Sequence, residues 1–181
     1  MISPFHDREG RVVSLLGRID SSHVDVLVDQ LLRLETENSR AITLYVSSTG
    51  GTLIDAFKIV DVLGTLSAPV TAIAMGLVQG AGVIAFAAAP ERLILPNTLL
   101  STAGLWTGLA STGVHSRDYL LDQLEVQTHQ LNPAILGRLV REAATAPRLF
   151  TATEAIQTSL ADTMAPTRKS RQTPKATCHV R

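Results

Sequence analysis

The stretch from Pro69 to Ala89 is the most apolar in the chain, and its interruptions decide what it folds into. Its length matches a membrane span. However, Gly76, Gln79, Gly80 and Gly82 fall inside it, and Pro90 follows directly. Read locally, Pro69–Met75 is a strand, Gly-Leu-Val-Gln-Gly at 76–80 is a turn, and a small-residue helix runs from about Gln79 to Ala89. A near-continuous apolar strand that leads into a helix apolar all round must be buried on every side. That pattern belongs to parallel sheets inside α/β proteins. The expectation is a soluble α/β domain rather than a membrane protein.

The remaining periodicities agree. Arg11–Leu16 reads as a first strand. His23–Glu35 carries Val24, Leu27, Val28, Leu31, Leu32 and Leu34 at helical spacing, with Ser21 or Ser22 as cap. Ala41–Val46 is a strand, Ser47–Gly51 a turn and Leu53–Leu66 a helix. Arg92–Leu95 and Leu99–Thr102 are further strands, and 103–113 is a Gly/Ser/Thr-rich loop. A long amphipathic helix is expected over Ser116–Leu131, then a helix capped by Asn132 with Pro133 in first position, then a short one at Thr151–Leu160. The alternation of strand and helix predicts one α/β domain over 11–165, its mainly parallel sheet covered on both faces. Residues 1–10 form a short loose segment before it. Residues 166–181, with Arg168, Lys169, Arg171, Lys175 and Arg181, form a disordered basic tail.

Composition removes several function classes. Lys+Arg and Asp+Glu each total 16, so no basic field for nucleic acid follows. The lone Cys178 allows neither an internal disulfide nor a cysteine-spaced zinc site, and no metal or cofactor is expected. It suits a reducing, cytoplasmic setting. No apolar run follows a basic patch near Met1, so no signal peptide is expected.

Several segments, in order, resemble the Clp protease proteolytic subunit family from about Arg11 to Met164. Leu34-Glu35-Thr36-Glu37-Asn38 and then Ile42–Val46 match its first helix and second strand. Ser47-Ser48-Thr49-Gly50-Gly51 stands for the family's Asn-Ser-Pro-Gly-Gly. Ala56–Asp61 and Pro69-Val70-Thr71 continue the pattern. Met75–Gly82 is similar to the turn that carries its nucleophile, Leu95-Pro96-Asn97-Thr98 to its Leu-Pro-Asn-Ser, and Thr151–Ala155 with Leu160-Ala161-Asp162 to its C-terminal signature. The resemblance implies a Clp protease/crotonase-like fold with a protruding handle helix, here the shortened one from Ser116.

The same resemblance places the family's catalytic serine at Gly80, its histidine at Ala103 and its aspartate at Pro147. Serine acylation needs a hydroxyl, a base and a group to orient the base, and none of these three residues supplies one. Ser101, Thr102 and His115 are the candidates for a relocated chemistry, with His129, His6 and His23 further off. The oxyanion donors are backbone N–H groups, and the resemblance assigns them to Gly51 and Ala81. Gly50 and Gly82 flank them, and Thr52, Leu53 and Ile54 lie where an extended peptide adds to a strand edge. Leu105-Trp106 follows the lost histidine position. The same glycines also serve tight strand–helix packing, and both readings stand at this level.

Three functions follow. The first is a silent peptidase-like subunit in a homo-oligomeric ring, or in a mixed ring with active subunits. The segment ahead of Arg11 is too short for the family's full axial entrance, so unfoldase contact is not expected to be complete. The second is a crotonase-type enzyme that acts on an acyl-CoA thioester through backbone donors. Its weakness is Glu91, the nearest downstream carboxylate, which falls after the helix. The third is a noncatalytic decoy that captures peptides or inhibitors. No partner of nucleic acid or membrane type is expected.

Overall fold

The computed structural model describes residues 10–104 and 146–166. In chain order it runs β1 Val12–Ile19, α1 Ser21–Glu37, β2 Ile42–Gly51, α2 Leu53–Thr65, β3 Val70–Gln79, α3 Ala81–Ala87, β4 Glu91–Ile94, β5 Leu99–Ser101, β6 Leu149–Thr151, α4 Ala152–Gln157 and β7 Thr163–Met164. The strands make one sheet in the order β1-β2-β3-β4-β7, all parallel. β5 lies parallel to β3, and β6 antiparallel to β5.

β3 organises the sheet because it changes partner halfway. Thr71–Ala74 pair with Glu91–Ile94, whereas Leu77–Gln79 pair with Leu99–Ser101. The Leu-Pro-Asn-Thr segment makes the switch. Leu95 N–H and Thr98 Oγ1 both donate to the Ala74 carbonyl, at 3.0 and 3.1 Å, and Thr98 N–H closes the turn on Leu95 O at 3.0 Å. Opposite, the β2–β3 register jumps from Val46↔Ala74 to Ser48↔Val78, and the extra β3 residues bulge through Gly76 at φ +65°. Ser47–Gly51 and Gly76–Gln79, expected as turns, are therefore the ends of long strands. Edge-to-edge pairing, which local composition does not report, carries them on.

The core lies between the sheet and its helices. Val24, Leu27 and Leu31 of α1, Leu53, Ala56, Ile59, Val60 and Leu63 of α2, and every residue of α3 but Gly82 join one cluster with Val13, Leu15, Leu44, Val46, Ala72 and Ala74. Each fully buried Leu or Ile contributes about 1.5–3 kcal/mol. Among the described residues the opposite face carries a smaller cluster of Ile73, Leu93 and Ala165, with Tyr45 and Leu95 packed against it. The expectation of helices on both faces is thus met on one face only within these residues.

Local signals explain the element ends. Asp20, rather than Ser21 or Ser22, caps α1: it is extended, and its carboxylate accepts from His23 N–H at 3.2 Å. Thr151 caps α4 in a reciprocal box with Glu154, and that helix stops at Gln157, short of the expected Leu160, before Ser159 at φ +61°. β6 and β7 have only three and two residues and no sequence signal of their own. Buried Arg92 ties the Leu160–Asp162 segment to β4, with Nη2 on Asp162, Nε on Leu160 O and Nη1 on Ala89 O. The loop beyond Gly104, the long helix from Ser116, the Asn132–Pro133 cap, residues 1–9 and the tail from 167 lie outside the described residues.

Gly82 is where α3 comes down on β2. A Cβ there would sit 2.8 Å from Ser48 Cβ and 3.2 Å from its Oγ. Gly82→Ala is expected to lower stability by about 1–3 kcal/mol, read from urea denaturation, and pairing it with Ser48→Gly is expected to recover part of the loss.

Candidate functional site

The site forms where β2, β3 and β5 end together. β3 leaves the sheet at Gly80, whose φ of +55° and ψ of −123° are a conformation that side chains of L residues rarely adopt. Its N–H donates to Ser101 O at 2.9 Å, and its carbonyl accepts from Val83 N–H at 2.9 Å. The residue therefore finishes a sheet and starts a helix within one peptide unit. A Cβ on Gly80 would point at the 103–104 backbone, 3.1 Å from Ala103 O and 3.4 Å from Gly104 C.

Ala103 follows β5, and its N–H donates to Ser101 Oγ at 3.2 Å. Pro147 is one residue from a clasp on the same segment. Arg148 N–H donates to Thr102 Oγ1 at 2.8 Å, and Thr102 N–H donates to Arg148 O at 2.9 Å. The Arg148 guanidinium lies 4.8 Å over the Phe150 ring. Gly80, Ala103 and Pro147, far apart in sequence, are thus gathered at one end of the sheet. Ser101 and Thr102 are buried, with their hydroxyls committed to these local bonds. His23 lies on α1 with its ring on Asp20, and His115, His129, His6 and Trp106 lie outside the described residues.

The Gly50–Gly51 end of β2, where the chain bends towards α2, forms the second wall. A Cβ on Gly50 would be 3.2 Å from Gln79 O and 3.8 Å from Ala81 N, so this turn faces the first residue of α3. Gly50 N–H points inward to Ser48 Oγ at 3.1 Å. Gly51 lies in register with Ile19, and a Cβ on it would fall 1.9 Å from Ile19 O, so only glycine fits. Ala81, as the first residue of α3, has an N–H with no intrahelical acceptor. Of the residues expected to meet a peptide, Leu53 is buried in the core, and Thr52 caps α2 while its N–H donates to Ile19 O and its carbonyl accepts from Ala56 N–H. Gly82 serves the contact with Ser48. Among the described residues no group of three His, Cys, Asp or Glu side chains is placed to hold a metal.

Glu91 is remote. Its carboxylate accepts from Thr71 Oγ1 at the opposite end of β3, roughly 25 Å along the strand from Gly80.

Sequence reading gave Ser48 and Asp55 no role at the site, and Ser21 only that of a helix cap. The Asp55 carboxylate is buried, yet it accepts from Thr52 Oγ1 at 2.5 Å, Ser21 Oγ at 3.0 Å and Lys58 Nζ at 3.0 Å. Burial pushes its pKa up, but the bonds from Thr52, Lys58 and Ser21 outweigh burial and hold it below the ordinary carboxylate value. The Thr-x-x-Asp spacing of Thr52 and Asp55 was the available signal.

The Clp protease family profile matches residues 7–168. The ATP-dependent Clp protease proteolytic subunit of Leuconostoc citreum (strain KM20) is 34% identical over 90 residues, covering 48% of this chain and 45% of that protein. The subunit of the same name from Carsonella ruddii (strain PV) is 30% identical over 116 residues, covering 61% and 60%. The match therefore spans less than two thirds of either relative's length. In structure, ClpP1 from Listeria monocytogenes superposes with a TM-score of 0.70 at 23% identity, over 87% of this chain and 92% of that one. The ClpP protease catalytic domain from Plasmodium falciparum superposes at 0.71 with 21% identity, over 90% and 88%. The α/β architecture is the one these catalytic domains share.

A carboxyl held below its ordinary value stabilises the fold above about pH 4, and that contribution drains away as the pH falls through the folded value. The melting temperature of Asp55→Asn is therefore expected to depend less on pH than that of the wild type between about pH 5 and pH 2, measured by thermal denaturation across that range.

Proposed function

Because the chain belongs to the Clp protease family, we propose that it is a peptidase-fold subunit without peptidase activity of its own, one that keeps the peptide-facing backbone and serves in ring assembly or partner binding. The observation that carries this reading is Gly80. The family's nucleophile position has no side chain, and the carbonyl of Ala103 lies 3.1 Å from where one would begin. Ala103 and Pro147, at the positions of base and orienting acid, offer no proton acceptor.

What survives is backbone. The Gly50–Gly51 turn still faces Ala81, the arrangement that suits N–H donors to a carbonyl, and this supports noncovalent peptide binding. Exposed Val12 and Leu16 on β1 and Val26 and Leu32 on α1 support burial against another subunit, a second copy of this chain or an active relative. In this reading 11–165 is the working domain, between a short N-terminal segment (1–10) and a basic tail (166–181), in a cytoplasmic setting. No helix among the described residues is long and apolar enough to cross a membrane. The acyl-CoA alternative loses its carboxylate, since Glu91 stands at the far end of β3.

Two experiments test the proposal. Peptide hydrolysis by the purified chain is expected to fall about 10⁴-fold or more below that of an active Clp subunit, with no labelling by a fluorophosphonate. Gly80→Ser alone is expected to restore neither, because Ala103 supplies no base. Turnover by the wild type, or by that single variant, contradicts the assignment of the three positions. Native mass spectrometry, alone and mixed with an active subunit, is expected to show heptameric or mixed rings, and a monomer under both conditions argues against the assembly role.

A further inference from the structure

The turn that carries one wall of the site is built from the two residues least able to hold a shape. Gly50 and Gly51 sit at φ +89° and +154°, and glycine has the most backbone freedom to lose on folding. As the last residues of β2 they pair with Arg18 and Ile19 of β1 on one side, which leaves the corner into α2 to be held. The group in place to do so is the carboxylate of Asp55, on the first turn of α2.

Asp55 joins two corners of the fold. On its own corner it accepts from Thr52 Oγ1, the residue that follows Gly51. Across the gap it accepts from Ser21 Oγ, the first residue of α1, which follows the end of β1. These corners are the two strand ends that fix the turn: Thr52 N–H donates to Ile19 O at 3.1 Å, and Ile19 is in register with Gly51. Gly51 in turn precedes the α2 cap and follows Gly50, which faces Ala81. Lys58, one helical turn on, closes the outer side at 3.0 Å from Asp55 and 3.2 Å from Asp25 of α1. An ordinary helix cap needs only Thr52 and its bond to the Asp55 N–H at 3.2 Å. The Ser21 bond crosses to another helix and does nothing for capping.

We propose that Asp55 is a positioning residue: bridging Ser21 and Thr52, it latches the Gly50–Gly51 turn against the start of α3 and keeps the backbone donors of the site in place. Its consequence for ligands rests on the peptide-binding reading above, whereas the latch itself can be measured with no ligand at all.

The measurement is amide hydrogen exchange by NMR on the full chain, comparing Thr52 and its neighbours with the interior of β2, Leu44 among them. In Asp55→Ala and in Ser21→Ala, exchange at Thr52 is expected to rise about tenfold relative to Leu44, the factor of a lost hydrogen bond to a charged group. Asp55→Asn, which keeps an oxygen for the hydroxyls and gives up the Lys58 ion pair, is expected to restore most of the protection. Unchanged exchange at Thr52 in Ser21→Ala overturns the proposal. So does equal acceleration throughout the sheet, which is a plain loss of stability. Should Asp55→Ala fail to fold, Ser21→Ala and Asp55→Asn decide the matter. Fluorescein-labelled casein fragments, titrated by anisotropy, are expected to bind the wild type and Asp55→Asn at least about tenfold more tightly than Ser21→Ala. Absence of binding by the wild type removes the peptide reading and leaves the exchange data to judge the latch.

Discussion

The close approach of α3 to the ends of β2 and β3 is the contact on which the rest depends. All seven residues of this helix are buried, and a helix buried on every side has to lie against backbone as well as side chains. Gly82 permits that by resting on Ser48, and Gly80 permits it by turning the chain out of β3 with its N–H still held by Ser101. Once α3 is so placed, Ala81 faces the Gly50–Gly51 turn, and the 103–104 segment closes over Gly80. The site is a by-product of packing a small-residue helix onto strand ends.

That origin makes the shape of this end of the sheet a property of the fold rather than of any one side chain. In the proposed reading the donors are peptide N–H groups, whose geometry follows from the fold whatever side chains stand at positions 80 and 103. Gly80 even relieves the scaffold. Its φ of +55° is one that a residue with a Cβ pays to adopt, whereas glycine does so without steric cost. Beside the pairing of Gly50 and Gly51 with β1, the Asp55 carboxylate ties Thr52 to Ser21 at the corner into α2.

Much of the architecture was legible in periodicity. The helices of α1 and α2 were marked by apolar spacing, and the buried character of β3 and α3 by composition. Strand ends were not. β2 runs on through Ser47–Gly51 and β3 through Gly76–Gln79 because each finds a partner across the sheet, although Gly, Ser and Thr locally read as turns. β6 and β7 are too short to carry a pattern. Asp20 displaced the two serines as the α1 cap because its carboxylate gathers Ser22 Oγ and His23 N–H together.

For the site, residue identity was the part the sequence alone determined. Chemistry absent from a side chain cannot be supplied by folding, and Gly80, Ala103 and Pro147 carry no nucleophile, base or acid. Tertiary structure decided where those positions meet, through the β3–β5 pairing and the Thr102–Arg148 clasp. It also decided that the Leu53 side chain enters the core and that of Thr52 caps α2, and that Asp55 reaches Ser21 across two corners of the chain. The physical reason is range. A side chain's acid–base character is local and can be read one residue at a time, whereas hydrogen-bond partners and close approaches between backbones are set by segments distant in sequence, and they exist only once the sheet has brought those segments together.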